Sequence, residues 1–319
     1  MTAKRVVVPI DFSAHSRAAA ELGLSALAPT GGELVLMHAD PLPGASGAMP
    51  EPFYVAPQLW SAFGKVHAQK VSEHLKSLRE ELAARAAESV TVRTELVQAE
   101  VAPGIVELAD DIGADLIALG SHGASAATLY LFGSVTERVV RDAPCPVLVT
   151  NADIAEEMGP PKPFERAVVG IDFSPLSIRA ARAAAEFVAP GGILELVHVW
   201  HAPYLPTMEL SLQTRRDELY ELIETYRRAE VERLSKFILD LDLPLESEQQ
   251  HAYIEVGSAP RGILRRASDT GADLIVLGAH GRETLREKLI GTVADRVVRT
   301  SPLPVLLIPE SSVAKPAGS

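Results

Sequence analysis

Short apolar runs alternate with longer amphipathic segments along the whole chain. The segments 16–28, 59–87, 105–112 and 134–141 of the first half have the period of an α-helix, and 212–239 does so in the second. The apolar runs are almost continuous, as in strands buried on both faces. They fall at 5–10, 34–39, 91–97, 115–119 and 146–150, and again at 166–171, 193–199, 249–256, 273–277 and 304–308. Strands separated by helices predict βαβ units, and therefore two α/β domains, each with a doubly wound parallel sheet.

The second half of the chain repeats the first. Three segments return in the same order: VVVPIDFS at 6–13, GADLIALG at 113–120 and PVLV at 146–149 recur as AVVGIDFS at 167–174, GADLIVLG at 271–278 and PVLL at 304–307. Three colinear matches indicate a duplication. The polar, proline-rich stretch between the copies is typical of a linker. We therefore predict a domain at 1–150, a linker at 151–163, a second domain at 164–310 and a tail at 311–319.

Composition and charge narrow the classes of function. Hydrophobic residues make up 47% of the 319 residues, enough for two cores. The formal net charge of −12, without a basic stripe, argues against nucleic-acid binding. No stretch approaches the length of a membrane span and the first residues lack a signal-peptide pattern, so we expect a cytoplasmic protein that does not enter a membrane. For the single cysteine, Cys145, a buried structural role is favoured over a reactive thiol.

A glycine-rich loop follows the fourth predicted strand of each half, with identical spacing. The first loop reads GSHG at 120–123, then nine residues, then GSVT at 133–136; the second reads GAHG at 278–281, then nine residues, then GTV at 291–293. Glycines there let the backbone approach a ligand, and Ser or Thr at the start of a helix is a good cap. Free amides at that point favour a phosphate. One such loop alone is more often a plain turn, but two with matching spacing favour an anion site.

These motifs resemble the universal stress protein family, in its tandem-domain form and its ATP-binding subgroup. The resemblance lies in DFS after a Val-rich first strand, GSHG after the fourth strand, GSVTERVV at the last helix and PVLV as the fifth strand, and it covers nearly all of the chain. It implies two Rossmann-like, adenine nucleotide alpha-hydrolase-like domains, each of five strands in the order 3-2-1-4-5. It also implies pairing through fifth strands, here as an intramolecular pseudo-dimer, with a homodimer as a further expectation.

The resemblance implies a nucleotide site in each half, for ATP, ADP or AMP. It leaves open whether Mg²⁺ accompanies the nucleotide. The expected contacts in the first half are Pro9, Asp11, Ala39, Gly120, His122, Gly123, Gly133, Ser134, Val135 and Thr136. Those in the second half are Asp172, Val199, Gly278, His280, Gly281, Gly291, Thr292 and Val293. Because Pro9 stands where the second half has Gly170, we expect the two adenine pockets to differ.

Histidines are the remaining candidates for chemistry. His122 and His280 could contact phosphate or act as acid–base groups, but the sequence favours rings that pack in the loop and hydrogen-bond the backbone. His198 and His201 are too isolated to predict a metal site. We therefore assign no catalytic residue and no metal ligand.

Other segments leave two interpretations open. The proline-rich stretch 41–57 is either a lid or a disordered connector. Arg282, Arg286 and Lys288 either reach phosphates or lie on a solvated helix face, which the mixed charge pattern favours.

The absence of a Walker signature argues against a P-loop enzyme. No Ser-Gly-Gly-rich loop follows the first strand, which argues against an adenylating enzyme of the ATP-pyrophosphatase type. Together the motifs and the resemblance predict a nucleotide-binding stress-response or regulatory protein with little or no ATP turnover. Two alternatives stay open: a slow ATPase or nucleotide-dependent switch, and an interaction module that has lost nucleotide binding.

Overall fold

The computed structural model describes residues 4–40, 57–121, 133–150, 161–200, 216–281 and 290–311. They form two compact units, the first reaching Pro163 and the second spanning Phe164–Glu310.

The first unit is a parallel sheet with helices between its strands. Its strands are β1 (Arg5–Pro9), β2 (Gly32–Ala39), β3 (Val90–Val97), β4 (Leu116–Gly120) and β5 (Val147–Thr150). Its helices are α1 (Ala14–Leu27), α2 (Pro57–Ala83), α3 (Val101–Asp111) and α4 (Ser134–Asp142). The strands pair in the order β3-β2-β1-β4-β5.

The second unit repeats this arrangement. Its strands are β6 (Phe164–Ile171), β7 (Val188–Trp200), β8 (Gln250–Val256), β9 (Leu274–Gly278) and β10 (Val305–Ile308). Its helices are α5 (Pro175–Phe187), α6 (Arg216–Leu241), α7 (Ala259–Thr270) and α8 (Thr292–Thr300), with a 3₁₀ turn at Ser247–Gln249. The order is β8-β7-β6-β9-β10, again with parallel pairs. The predicted fold class and the order 3-2-1-4-5 are therefore confirmed.

The central strands are buried because helices cover them. Val6, Val7 and Val8 of β1 have no exposed surface, and the same holds for Leu274, Ile275 and Val276 of β9. Each fully buried side chain of this size stabilises the fold by about 1.5–3 kcal/mol. Cys145 is also buried, as predicted, and burial raises the pKa of its thiol to about 12, so the group is a poor nucleophile at neutral pH.

One strand is longer than the sequence predicts. The segment Pro190–Gly192 has the composition of a turn, so the prediction placed the start of this strand at 193. In the structure β7 already begins at Val188, which pairs with Phe164. The register then shifts between Phe164 and Arg166, and this irregularity accommodates the proline and the glycines within the strand.

Within the described residues, no helix is both long and apolar enough to cross a membrane.

Candidate functional site

A cavity of about 270 Å³ lies at the carboxyl ends of β6, β7 and β9 in the second unit. The chain leaves β6 toward β7 on one side, while β9 pairs with β6 on the other, so this is the point where the strand order reverses. Doubly wound sheets bind their ligands at this switch point. The position of the cavity is therefore that of a ligand site.

The cavity brings together every residue that the sequence predicts for the second half. Its lining includes Asp172, Val199, Gly278, His280, Gly281, Gly291, Thr292 and Val293. Gly170, which the sequence analysis expects in the adenine pocket as the counterpart of Pro9, also lines the cavity. Sequence reasoning missed the other lining residues, which are Ile171, Ser174, Ser177, Val197, His198, Ala259, Ile263, Leu277 and Ala294. Most of them neighbour predicted residues, while Ala259 and Ile263 belong to α7, for which no motif signals a ligand role.

Asp172 is held in place by the turn that follows β6. Its Oδ1 atom accepts a hydrogen bond of 2.9 Å from the Ser174 amide. The Ser174 side chain in turn caps α5 by accepting a hydrogen bond of 3.2 Å from the Ser177 amide. One carboxylate oxygen is thus engaged in the turn, and a group with hydroxyl donors is a suitable partner for the other.

Phe173, the next residue, has a left-handed backbone with φ of 61°. This conformation costs a bulky residue about 1–3 kcal/mol, so the surroundings must compensate. Its ring lies 4.5 Å from the His198 ring centroid and 5.3 Å from that of Phe237, and the Arg233 guanidinium stacks on it at 3.9 Å. These contacts fix the turn that carries Asp172.

The first half contains the same turn. Asp11 Oδ1 accepts hydrogen bonds from the Ser13 amide at 3.0 Å and from the Ser13 hydroxyl at 2.6 Å. Phe12 has φ of 63° and packs between the rings of His38 and His74.

A strand histidine supports each turn. His38 Nδ1 hydrogen-bonds the Ile10 carbonyl at 2.6 Å, and His198 Nδ1 hydrogen-bonds the Ile171 carbonyl at 2.7 Å. The described residues contain no cluster of three potential metal ligands. His198 therefore belongs to the packing of the turn.

The glycine that closes each loop is itself the cap of the following helix. Gly291 precedes α8 and Gly133 precedes α4, and among the described residues no side chain caps either helix. The prediction that Ser134 and Thr292 cap these helices is wrong, because both already lie in the first turn. The amides at these helix ends are not satisfied by a cap side chain, which suits an anion.

Hydrogen bonds join the two ends of each loop. The Gly291 amide donates to the Ala279 carbonyl at 2.7 Å, and the Gly133 amide donates to the Ser121 carbonyl at 3.1 Å. The Thr136 hydroxyl adds a hydrogen bond of 3.0 Å to the Gly120 carbonyl. A Cβ atom on Gly291 would lie 3.2 Å from the Gly281 amide nitrogen and 3.3 Å from the His280 Cα atom, so the loop passes close to the helix start.

The hydrogen bonding of the His280 ring differs from what the sequence favours. Both ring nitrogens are buried and have no hydrogen-bond partner among the residues that the structure describes. The interpretation in which this ring hydrogen-bonds the backbone is therefore wrong. His280 is one of the residues that line the cavity.

The expected first-half residues lie at the matching places. Pro9 ends β1, Ala39 ends β2, Gly120 ends β4, and Ser134, Val135 and Thr136 form the first turn of α4. His122 and Gly123 lie outside the described residues, as do His201, Arg282, Arg286, Lys288 and nearly all of the 41–57 stretch.

The comparison with known families identifies the family to which this chain belongs. The profile of the universal stress protein family matches residues 2–151 and matches again over 163–309. The chain belongs to the universal stress protein family. The two matches also account for the internal repeat, because each covers one copy.

Relatives within the universal stress protein family include one that matches nearly the whole tandem chain and one that matches less than half of it. A universal stress protein of Mycobacterium tuberculosis is 30% identical over 311 residues, which cover 96% of this chain and 97% of that protein. A universal stress protein of Methanocaldococcus jannaschii is 31% identical over 148 residues, 46% of this chain and 82% of its own length. The crystal structure of a universal stress protein from Archaeoglobus fulgidus is similar in fold, with a TM-score of 0.62 and 21% identity over 97% of this chain and 99% of that one.

Proposed function

We propose that each half of this universal stress protein binds an adenine nucleotide, ATP or the related ADP or AMP. In this proposal the protein acts in stress response or regulation, with little or no ATP turnover. The observation that supports it most directly is the cavity of the second unit, where residues from five separate segments meet at the switch point of the sheet. Glycines that served only as turns would not be expected to line one cavity together with Asp172 and Val199.

The residues of the cavity fit the chemistry of a nucleotide. The first turn of α8 offers N–H donors for phosphate oxygens. Asp172 offers a carboxylate oxygen for the hydroxyl donors of a ribose. Val199, at the end of β7, offers backbone groups for the edge of a base. The lining thus offers donors for a phosphate, an acceptor for a ribose and backbone groups for a base.

The close approaches in the loop explain why glycines stand there. A Cβ atom on Gly278 would lie 2.9 Å from the Leu176 Cβ atom, and one on Gly291 would crowd the backbone of 279–281. Side chains at these positions would fill the cradle or push the loop away from α8. Asp172 is the one acidic side chain among the described residues of the lining, so phosphate oxygens would supply most ligands of an accompanying Mg²⁺.

The test is to count the nucleotide that the purified protein carries. The protein is isolated without added nucleotide and denatured, and the released compounds are identified by chromatography and mass spectrometry. About two adenine nucleotides per chain is the result expected from two sites. No released nucleotide, together with no heat on titration with ATP, would overturn the proposal. Phosphate release from the same sample separates binding with little turnover from slow hydrolysis.

The cytoplasmic location and a homodimer remain predictions of the sequence. Light scattering coupled to size-exclusion chromatography tests the homodimer.

A further inference from the structure

Helix α6 contributes a cation to the turn that carries Asp172. The Arg233 guanidinium lies over the Phe173 ring, 3.9 Å from its centroid. Phe173 has a left-handed backbone with φ of 61°, so the turn keeps its shape only while neighbouring groups hold the ring. A guanidinium over an aromatic face is attractive, because the face carries partial negative charge. The contact with Arg233 therefore stabilises the strained turn.

A carboxylate on the same helix holds Arg233 in place. Glu230 Oε2 lies 3.6 Å from Arg233 Nη1 and 3.7 Å from His198 Nε2. The His198 ring also packs on Phe173, so one carboxylate faces two of the groups that contact this ring. The Oε2 atom is buried and has no hydrogen-bond partner among the described residues. A buried carboxylate is tolerated when a cation lies nearby, so Glu230 and Arg233 form one unit.

The first half carries a different group at the place of this cation. Two buried leucines of α6, at 234 and 241, have the same spacing as the buried leucines at 75 and 82 of α2. On this alignment His74 corresponds to Arg233. The contacts support the alignment, since His74 packs on Phe12 as Arg233 packs on Phe173. The carboxylate has no counterpart there, because a buried valine stands at position 71.

The turn links the Phe173 ring to the carboxylate of the residue before it. Asp172 Oδ1 accepts a hydrogen bond of 2.9 Å from the Ser174 amide, and His198 Nδ1 donates one of 2.7 Å to the Ile171 carbonyl. The backbone is thus held on both sides of Asp172, which lines the cavity. A change in the position of the Phe173 ring would therefore move the carboxylate as well.

We propose that Arg233, together with Glu230, is a positioning residue for the nucleotide site of the second half. It holds the Phe173 ring and thereby aims Asp172 at the ribose hydroxyls of the nucleotide. The inference rests on the proposed function, because it requires a ribose in the cavity. Neither Arg233 nor Glu230 belongs to the described residues that line the cavity, so both act through the turn. The unit affects recognition of the sugar and leaves the base and the phosphates to other residues.

The test compares the affinities of the second half for ATP and for 2′,3′-dideoxyATP, which lacks both ribose hydroxyls, by titration calorimetry. The full chain carries Gly123→Val throughout and is the parent protein, and a stoichiometry of one nucleotide per chain confirms that the heat comes from the second half. We expect the parent protein to bind ATP about tenfold more tightly than the dideoxy nucleotide, because hydrogen bonds to an ionised carboxylate have at least this effect.

Arg233→Met keeps the length of the side chain but removes its charge. We expect it to weaken the binding of ATP about fivefold and to leave that of the dideoxy nucleotide within about twofold, so that the preference for ATP nearly disappears. Arg233→Lys keeps a cation near the ring, so most of the preference should remain. Arg228→Met makes the same change at an exposed position of α6 and is the matched control, with an unchanged preference.

The double variant Asp172→Ala/Arg233→Met separates an action through Asp172 from a general loss of stability. Asp172→Ala alone should bind both nucleotides about equally, and adding Arg233→Met should not change their ratio further. If Arg233→Met does not fold, Glu230→Gln takes its place, since it weakens the hold on the same guanidinium and should reduce the preference in the same direction.

Two results would overturn the inference while nucleotide binding stands. One is an equal loss of affinity for both nucleotides in Arg233→Met, which would show a structural role only. The other is a preference for ATP that is absent from the parent protein or undiminished in Arg233→Met. If neither the parent protein nor wild type binds ATP, the proposed function itself fails, and the inference fails with it.

Discussion

Asp172 Oδ2 lies 3.4 Å from the point that a Cβ atom would occupy on Gly281. The first residue follows β6 and the second follows β9, so this distance joins the turn after the first strand of the unit to the loop after its fourth. A hydrogen atom at position 281 keeps the space in front of the carboxylate open. A single Cβ atom there makes an ordinary contact with Asp172, whereas a branched side chain extends further into this space.

Replacing Gly281 with valine should remove one nucleotide per chain. The Cβ atom itself makes only an ordinary contact with Asp172, but the two methyl groups must extend into the space beside the loop. We expect Gly123→Val to do the same in the first half, and the two changes together to abolish binding. The measurement is the number of nucleotides bound per chain, by calorimetry or by release on denaturation.

Gly281→Ala is the matched control, because its single Cβ atom fits at 3.4 Å. Its Tm without added nucleotide should stay within a few degrees of wild type. If both valine variants retained full stoichiometry, the loops would not be the binding sites.

At position 173 we expect an inverted order of stability between glycine and alanine. Phe173→Ala loses the ring contacts with His198 and Phe237 and leaves a Cβ atom in the left-handed conformation. Phe173→Gly loses the same contacts but removes the backbone strain, which is worth about 1 kcal/mol. We therefore expect urea unfolding to give a lower free energy of unfolding for Phe173→Ala than for Phe173→Gly.

Alanine is normally the more stable of the two residues, which makes the inverted order diagnostic. The pair Phe12→Ala and Phe12→Gly should show it as well, since Phe12 has φ of 63°. Alanine variants more stable than the glycine variants at both positions would contradict a strained turn.

The buried ionic cluster around Glu195 should be replaceable by apolar residues. Glu195 is 1% exposed and contacts Arg166, Arg266 and His251. In the first half the corresponding pair is Val35 and Leu108. We expect Glu195→Val alone to lower the free energy of unfolding by about 3 kcal/mol, because it leaves the Arg266 charge unpaired.

Adding Arg266→Leu to Glu195→Val should recover most of that loss, since the first half has an apolar residue at both corresponding positions. Urea unfolding of wild type, the two single variants and the double variant gives the coupling free energy between residues 195 and 266. Additive losses in the double variant would contradict this prediction.

Acid should remove the contribution of Glu195 to stability. Burial acts to raise the pKa of this carboxyl, but hydrogen bonds from Arg266, His251 and Arg166 outweigh burial and hold the pKa below its ordinary value of 4.5. A depressed carboxyl pKa gives stability that is present above the unfolded pKa and is lost as the pH falls through the folded pKa. The Tm difference between wild type and Glu195→Gln should thus be constant near neutrality and shrink below about pH 4.5. A difference that grows in acid would contradict the prediction.

Local patterns explain why so much of the fold could be predicted. Buried parallel strands give unbroken apolar runs, so all ten strands appear at or near their places, and the duplication makes each half a check on the other. The loop spacing likewise predicts that Gly120 and Gly278 end a strand and that Gly133 and Gly291 precede a helix, as the structure has them. These features depend on neighbours in sequence.

What the sequence does not show depends on contacts between distant residues. Glu195 stands in an apolar run, and its partner Arg266 lies 71 positions away on α7. The left-handed backbone of Phe12 and Phe173 carries no sequence signal, since bulky residues rarely adopt it. The burial of both His280 ring nitrogens without a partner among the described residues also depends on tertiary packing, which the spacing alone cannot give.

The hydrogen bond from the Gly291 amide to the Ala279 carbonyl joins the two ends of the glycine-rich loop in the second half. Gly281 and Gly291, which flank a stretch of nine residues, lie close together, since a Cβ atom on Gly291 would lie 3.2 Å from the Gly281 amide nitrogen. The two copies have already diverged there, to ASAATLYLF and RETLREKLI, while the flanking glycines are the same. A gene duplication built in this way can give its halves different ligand preferences without any change in their cores.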